Sequence, residues 1–160
     1  IFFQLVLLPI FVILYFNNLF SYLNILHSGI NYFLSDYPEL LYQRDYKYLI
    51  HHTIAIVILL TASGLPEIVH GPSVINLFLL ELGSSIISIP TIFPHRYVFR
   101  SRPYVFMFSR LLTLWNTYYI IINPVIHLSI RAILTLLSIL LMVDNTQLLI
   151  KLCKKNIKYT

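Results

Sequence analysis

Charge in this 160-residue chain is confined to short clusters, and that confinement decides what the chain can fold into. Residues 1–35 carry no Asp, Glu, Lys or Arg, and neither do residues 48–66, 68–80, 82–95 or 111–130. Apolar residues make up 58% of the sequence and charged ones 11%, too few polar groups to clothe a water-soluble domain of this length. A bilayer suits such blocks, since a spanning helix needs about 20 mainly apolar residues. The net charge of +5 is not read as a nucleic-acid signal, because nearly all of it falls between apolar blocks, where it orients a membrane protein. No block alternates apolar and polar positions as a transmembrane barrel strand does. The single Cys153 excludes an internal disulfide and any cysteine-rich metal site, and no metal site is expected.

Breaks at polar pairs, prolines and charges leave six apolar segments, roughly Phe2–Phe16, Phe20–Asp36, Tyr48–Ser63, Ser73–Ile89, Pro103–Ile122 and Val125–Val143. The fold class this predicts is an all-α polytopic membrane protein, a bundle of about six transmembrane helices. Placing the loops alternately on two sides puts Arg44, Lys47, Arg96, Arg100, Arg102, Lys151, Lys154, Lys155 and Lys158 on one face and no Lys or Arg on the other. The positive-inside rule then puts both termini in the cytosol. Residues 1–147 are read as a single transmembrane domain and residues 148–160 as a basic cytosolic tail. The chain opens inside an apolar run without an initiator Met, which reads as a domain lacking part of its N-terminus or as a processed product. It has neither the basic region nor the small-residue cleavage pattern of a signal peptide.

Ionisable groups inside spanning segments cost about 2.5 to 3.5 kcal/mol each, so each one asks for a partner or a task. His27, the pair His51 and His52, Glu81, Arg110 and Arg131 hold such positions. His51 and His52 open the third segment at the level where Asp36 closes the second, and an imidazole oriented by a carboxylate is equipment for general base catalysis. His51, His52 and Asp36 are therefore the candidate catalytic residues. Neighbouring helical residues point about 100° apart, so one ring can face a cavity and the other an adjacent helix, and the two do not share a metal. The plainer alternative is a pair of interfacial histidines bonded to backbone or water. Glu81 and Arg110 lie at similar depths, roughly 13 and 10 Å from the cytosolic face at ~1.5 Å per residue, which predicts a cavity ion pair between segments four and five. Arg131, with His127, reads as a structural group near the outer face, and His27 as a packed, satisfied histidine.

The order Asn31-Tyr-Phe-Leu-Ser-Asp36, Asp45, Leu49-Ile-His-His-Thr53, Gly64 and Leu80-Glu81-Leu-Gly-Ser84, followed by Phe106, Phe108, Arg110 and Pro124, resembles the TLC domain. That membrane domain is shared by translocating-chain-associating proteins, ceramide synthases and several lipid-homeostasis proteins. The resemblance runs from about residue 31 to 124. It implies at least six helices around a central cavity, residence in the endoplasmic reticulum, and lipids or acyl chains as occupants. In ceramide synthases the histidines matching His51 and His52 are needed to join a fatty acyl group from acyl-CoA to a sphingoid amine. Leu77 and Val74 stand where those enzymes carry aspartates, Ser73 where their acidic motif opens with histidine, and Ala55 where a threonine is expected. The pattern is thus closer to TLC-domain-containing proteins lacking the full synthase motif.

Three functions are compatible with this sequence. A lipid-handling protein that influences membrane lipid composition needs only the fold. A lipid N-acyltransferase needs His51 or His52 as base, Asp36 to orient it, and acyl-CoA, whose phosphates Arg44, Lys47, Arg96, Arg100 and Arg102 can hold. No other cofactor is implied. A membrane cargo receptor or translocation helper needs docking motifs, and the C-terminal Lys-Lys-Asn-Ile-Lys-Tyr-Thr lacks the lysine spacing of a retrieval signal. The partners expected are membrane lipids and, for the assembled state, either a homo- or a hetero-oligomer; nucleic acid is not among them.

Overall fold

A computed structural model describes residues 2–157, and Ile1 and residues 158–160, the end of the expected basic tail, lie outside it. Every described element is helical. A π-helical stretch, Phe3–Leu7, runs without a break into α1 (Leu8–Phe16), and Pro9 lies just past the change from one helix type to the other. The chain turns through Asn18 in the left-handed region (φ 56°), a conformation asparagine tolerates. Ser21 then caps α2 (Tyr22–Ser35) by accepting from the Asn24 amide at 3.2 Å. A short α3 (Tyr37–Tyr42) follows, and Asp45 caps α4 (Tyr46–Ser63). A 3-10 turn, Glu67–Val69, opens into α5 (His70–Ile92), followed by α6 (Arg96–Ile122) and α7 (Leu128–Ile157).

Each of the six apolar segments falls on one of these helices, but several boundaries differ. The connection between segments two and three is not loop throughout, because α3 occupies part of it. Pro103 does not start its helix: α6 begins at Arg96, so Arg96, Arg100 and Arg102 lie on its first turns rather than in a loop. Proline inside an apolar helix is tolerated where neighbouring helices satisfy the freed backbone, and Pro103 is buried. Arg102 is buried too, its guanidinium 4.6 Å from the centre of the Phe99 ring. The expected tail from residue 148 continues α7 as helix up to Ile157.

Three stretches are long and apolar enough to cross a membrane: Glu67–Pro90, Arg96–Ile122 and Leu128–Lys154. Phe3–Phe16 and Tyr48–Ser63 are apolar but shorter, and the 14 residues of α2 extend only about 21 Å. The distribution of polarity is the reverse of that in a water-soluble domain. Glu81 and Arg110 are 5% and 6% exposed, whereas Trp115 and Leu128 are 75% and 76% exposed. An exterior of this kind is solvated by lipid, and backbone groups satisfied within helices are what lipid requires.

The helices pack as α5 on α6, α2 on α4, and α7 on both α6 and α4, with α1 against α5. The buried apolar cluster joins Ile25 and Leu26 to Leu59 and Ala62, to Val74 and Leu77, and to Ile120 and Leu134. It lies toward the ends of the helices joined by the turns at residues 63–70 and 123–127. In the other half Glu81, Ser85, Arg102, Arg110 and Asn145 are buried among Phe33, Phe106, Leu141 and Leu152.

Candidate functional site

Between α2, α4, α5, α6 and α7 lies a narrow pocket of about 110 Å³. Leu26, Leu59, Leu77, Ile120 and Leu134 make its walls aliphatic, while His51, Asn76, Glu81, Ser84, Arg110 and Asn145 bring polar groups to the same space. Aliphatic walls with a few convergent polar groups are the composition of a site for a mostly apolar ligand.

The two histidines diverge, as their positions on one helix require. The His51 ring lines the pocket, and its Nδ1 stands 3.0 Å from Oδ2 of Asp144 on α7. The His52 ring leans toward Phe33 of α2, with ring centres 5.1 Å apart. The two imidazole centres are 6.1 Å apart. Asp36 is beside His52 rather than His51, and at 3.8 Å its Oδ2 is beyond hydrogen-bond reach of His52 Nδ1. Of the three expected residues, Asp36 and His52 thus form an ion-pair contact, while the carboxylate that meets the pocket histidine, His51, is Asp144. A carboxylate facing Nδ1 assigns the ring proton to that nitrogen and places the basic lone pair on Nε2.

Glu81 and Arg110 both line the pocket, yet their hydrogen bonds go to other groups, so the expected ion pair is not formed among the described residues. Glu81 accepts from Nε2 of Gln4 at 2.7 Å, a buried contact made from the π-helical stretch. Arg110 reaches α5 instead, its Nη1 donating to the Leu80 carbonyl at 2.7 Å and its Nη2 to Ser84 Oγ at 2.9 Å. Phe106 covers the guanidinium at 4.5 Å. Gly83 allows this seating, because a Cβ there would lie 2.0 Å from Ser109 Oγ and 2.9 Å from Arg110 Nη1. The sequence Leu80-Glu81-Leu-Gly-Ser84 is thus a ledge for the arginine in which the residues flanking Glu81 bind it.

The same pair of helices is joined lower down by amides. Asn116 donates to the Pro72 carbonyl at 2.6 Å and to Asn76 Oδ1 at 3.0 Å, and Asn76 donates to Thr117 Oγ1 at 2.8 Å. Arg131 is structural, its Nε donating to the Ile126 carbonyl, and His127 turns to Ser129 rather than to Arg131. His27 is exposed on the outer face of α2, so it is not the packed histidine expected. Among the described residues no group of three or more His, Cys, Asp or Glu could hold a metal ion.

Sequence reasoning missed Asp144, Gln4 and the Asn76–Asn116–Thr117 set. The signal for Gln4 was a lone amide in an apolar segment, and for Asp144 an isolated carboxylate just past the end of the last one. Comparison with protein-family models, with curated proteins and with solved structures finds no match to this chain.

Proposed function

We propose that this chain is a multi-pass membrane protein of the TLC-domain type, with six helices crossing the bilayer of the endoplasmic reticulum and both ends in the cytosol. It takes lipids or acyl chains into its central pocket and so influences membrane lipid composition. The observation that carries this reading is the pocket, with aliphatic walls and polar groups gathered on α5, α6 and α7. An acyl chain leaving the bilayer for such walls exchanges one apolar surrounding for another, so it is the few polar groups of the pocket that select its occupant. The order of charged clusters supports the orientation.

Mass spectrometry of lipids retained after gentle purification tests the reading. A retained chain-bearing lipid, lost when Leu77→Trp fills the pocket, is the expected result; an empty protein would end it. The orientation has its own test. With Cys153 replaced and Glu67→Cys introduced, a membrane-impermeant thiol reagent labels the new cysteine only from the non-cytosolic side of sealed vesicles, and labelling from the cytosol overturns the six-crossing arrangement.

The His51–Asp144 contact favours a second reading, a lipid N-acyltransferase using acyl-CoA. His51 Nε2 takes the proton of an incoming amine as the nitrogen attacks the thioester carbonyl, the C–S bond breaks, and the coenzyme leaves as its thiol. Asp144 stabilises the imidazolium formed in between. Loss of a general base costs about 10²- to 10⁴-fold in rate. His51→Ala therefore abolishes transfer from labelled acyl-CoA while His52→Ala, remote from the pocket, leaves most of it; equal effects exclude this mechanism.

A further inference from the structure

Beside the central pocket, α6 and α7 enclose a second opening, an apolar groove of about 600 Å³ that faces outward. Sites for small ligands hold roughly 300 to 1,000 Å³, and the groove is of that size. It shares Leu114 and Met142 with the central pocket, which lies behind that wall. Both helices are among those long and apolar enough to cross a membrane.

The walls are dressed as hydrocarbon. Leu114, Tyr118 and Ile121 line one side, and Ile139 and Val143 the other. Thr135 and Thr146 also line the groove, but their hydroxyls turn back along α7, donating to the Arg131 carbonyl at 2.7 Å and to the Met142 carbonyl at 2.8 Å. What they offer an occupant is chiefly methyl. From Thr135 to Gln147 the α7 side runs about 18 Å, a little more than half the roughly 30 Å of a bilayer's hydrocarbon layer. One acyl chain of one leaflet has that reach.

The end of the groove selects the lipid. Lys154 lies about three turns beyond Val143 on the same face of α7, and it is exposed, with no ion pair among the described residues. Arg96 opens α6 at the same end and is exposed as well. Asp144 is the single acid of the two helices, and it is turned to His51. Charge at that level acts over about 10 Å of salt solution, so an anionic head group is drawn to this end and a neutral one is not. A second copy seated on the same face about a two-fold axis would set its Lys154 against the first, and like charges repel it.

We propose that the α6–α7 groove binds an anionic phospholipid, with one acyl chain lying between Tyr118 and Val143 and the phosphate-bearing head beside Lys154. The site is separate from the central pocket: it rests on the membrane-spanning reading, not on what the pocket holds.

Lipids brominated on their chains quench tryptophan on contact, so the full chain in bilayers can be tested directly. The lone Trp115 is 75% exposed and does not line the groove, and it reports the ordinary surrounding lipid. Trp115→Phe combined with Tyr118→Trp moves the reporter into the groove. In mixed phosphatidylserine and phosphatidylcholine bilayers, brominated phosphatidylserine quenches the groove reporter as a ligand bound about fivefold more tightly than brominated phosphatidylcholine, and quenches Trp115 with no such preference. Lys154→Gln, at an exposed position, removes most of the groove's preference, as does about 1 M salt. Leu77→Phe, which crowds the central pocket, leaves the preference unchanged. Equal preference at the two reporter positions, or a preference untouched by Lys154→Gln, overturns the site. So does a groove reporter that no brominated lipid quenches, the result of a second copy or another protein lying there. Loss of the preference in Leu77→Phe places the lipid in the central pocket and overturns the groove site while the lipid-handling reading stands. Quenching at neither position removes the membrane-spanning reading and this inference with it.

Discussion

The α5–α6 and α2–α4 contacts bring two helices together by different means. Along α5 and α6, Gly83 lets the backbones close until Ser109 and Arg110 meet them, and polar side chains then fasten the pair: Arg110 on Leu80 and Ser84, and Asn116 on Pro72 and Asn76. Along α2 and α4, Gly29 faces the methyl groups of Leu59, and Ile25 and Leu26 pack on Leu59 and Ala62. Lipid tails are as apolar as leucine, so apolar packing between helices gains dispersion without a hydrophobic drive. Hydrogen bonds between helices add direction, because each partner accepts one register only. The first seam is fastened by several such bonds; the second is mainly apolar, with Tyr22 Oη donating to the Ala62 carbonyl at 2.9 Å near one end and flexible side chains along the rest.

The sharpest way to break this contrast is at its two glycines and its amides. Gly83→Leu gives the largest loss of stability, about 3 kcal/mol, measured by unfolding in mixed micelles, because Ser109 Oγ is tied to the Phe106 carbonyl and Arg110 to the ledge. Ser109→Ala placed in a Gly83→Ala background recovers part of the alanine's loss, since the hydroxyl is the nearest obstacle. Asn116→Leu costs about 1 kcal/mol, within the range measured for hydrogen bonds between membrane helices, and leaves Asn76 Oδ1 short of a donor. Adding Asn76→Leu restores much of that loss, because both partners are then apolar. The smallest effect is at the adaptable seam. At Gly29 a Cβ comes within 3.1 Å of Leu59 Cδ1 and 3.3 Å of Leu77 Cδ2, both ends of flexible side chains. Gly29→Ala changes stability by less than about 0.5 kcal/mol, its crowding offset by the better helix propensity of alanine. A loss at Gly29→Ala as large as that at Gly83→Leu would erase the distinction.

The helices were legible because spans between charges and prolines depend on local sequence alone, and each apolar segment falls on a helix. Divergence of His51 and His52 was legible for the same reason, since the angle between neighbours on a helix is fixed. Pairing was not. Asp144 is 93 residues from His51, and Gln4 is 77 from Glu81, so the choice among Asp36, Asp45 and Asp144, or between Arg110 and Gln4, was made by helix packing. Depth placed Glu81 and Arg110 at one level, but level says nothing of azimuth: Glu81 turned toward the first helix, and Arg110 found acceptors on α5 nearer than any carboxylate. Two of the boundary errors have one cause, the reading of Pro103 and of the last lysines as stops, where a helix supported by neighbours or by water runs on.

That last continuation has a mechanical consequence. The 30 residues of α7 extend about 45 Å, against about 30 Å for the hydrocarbon layer of a bilayer. With Leu128 at one boundary, about 15 Å of rigid rod stands beyond the other, carrying Lys151 and Lys154 into the zone of the phosphate head groups. There each lysine is drawn to an anionic leaflet by about 1 kcal/mol, and both complement the negative end of the helix dipole. The rod also bears Asp144 and Asn145, a turn or two inside the boundary. The surface potential of the leaflet and the polar end of the pocket therefore act on a single lever, with no hinge of proline or glycine between them.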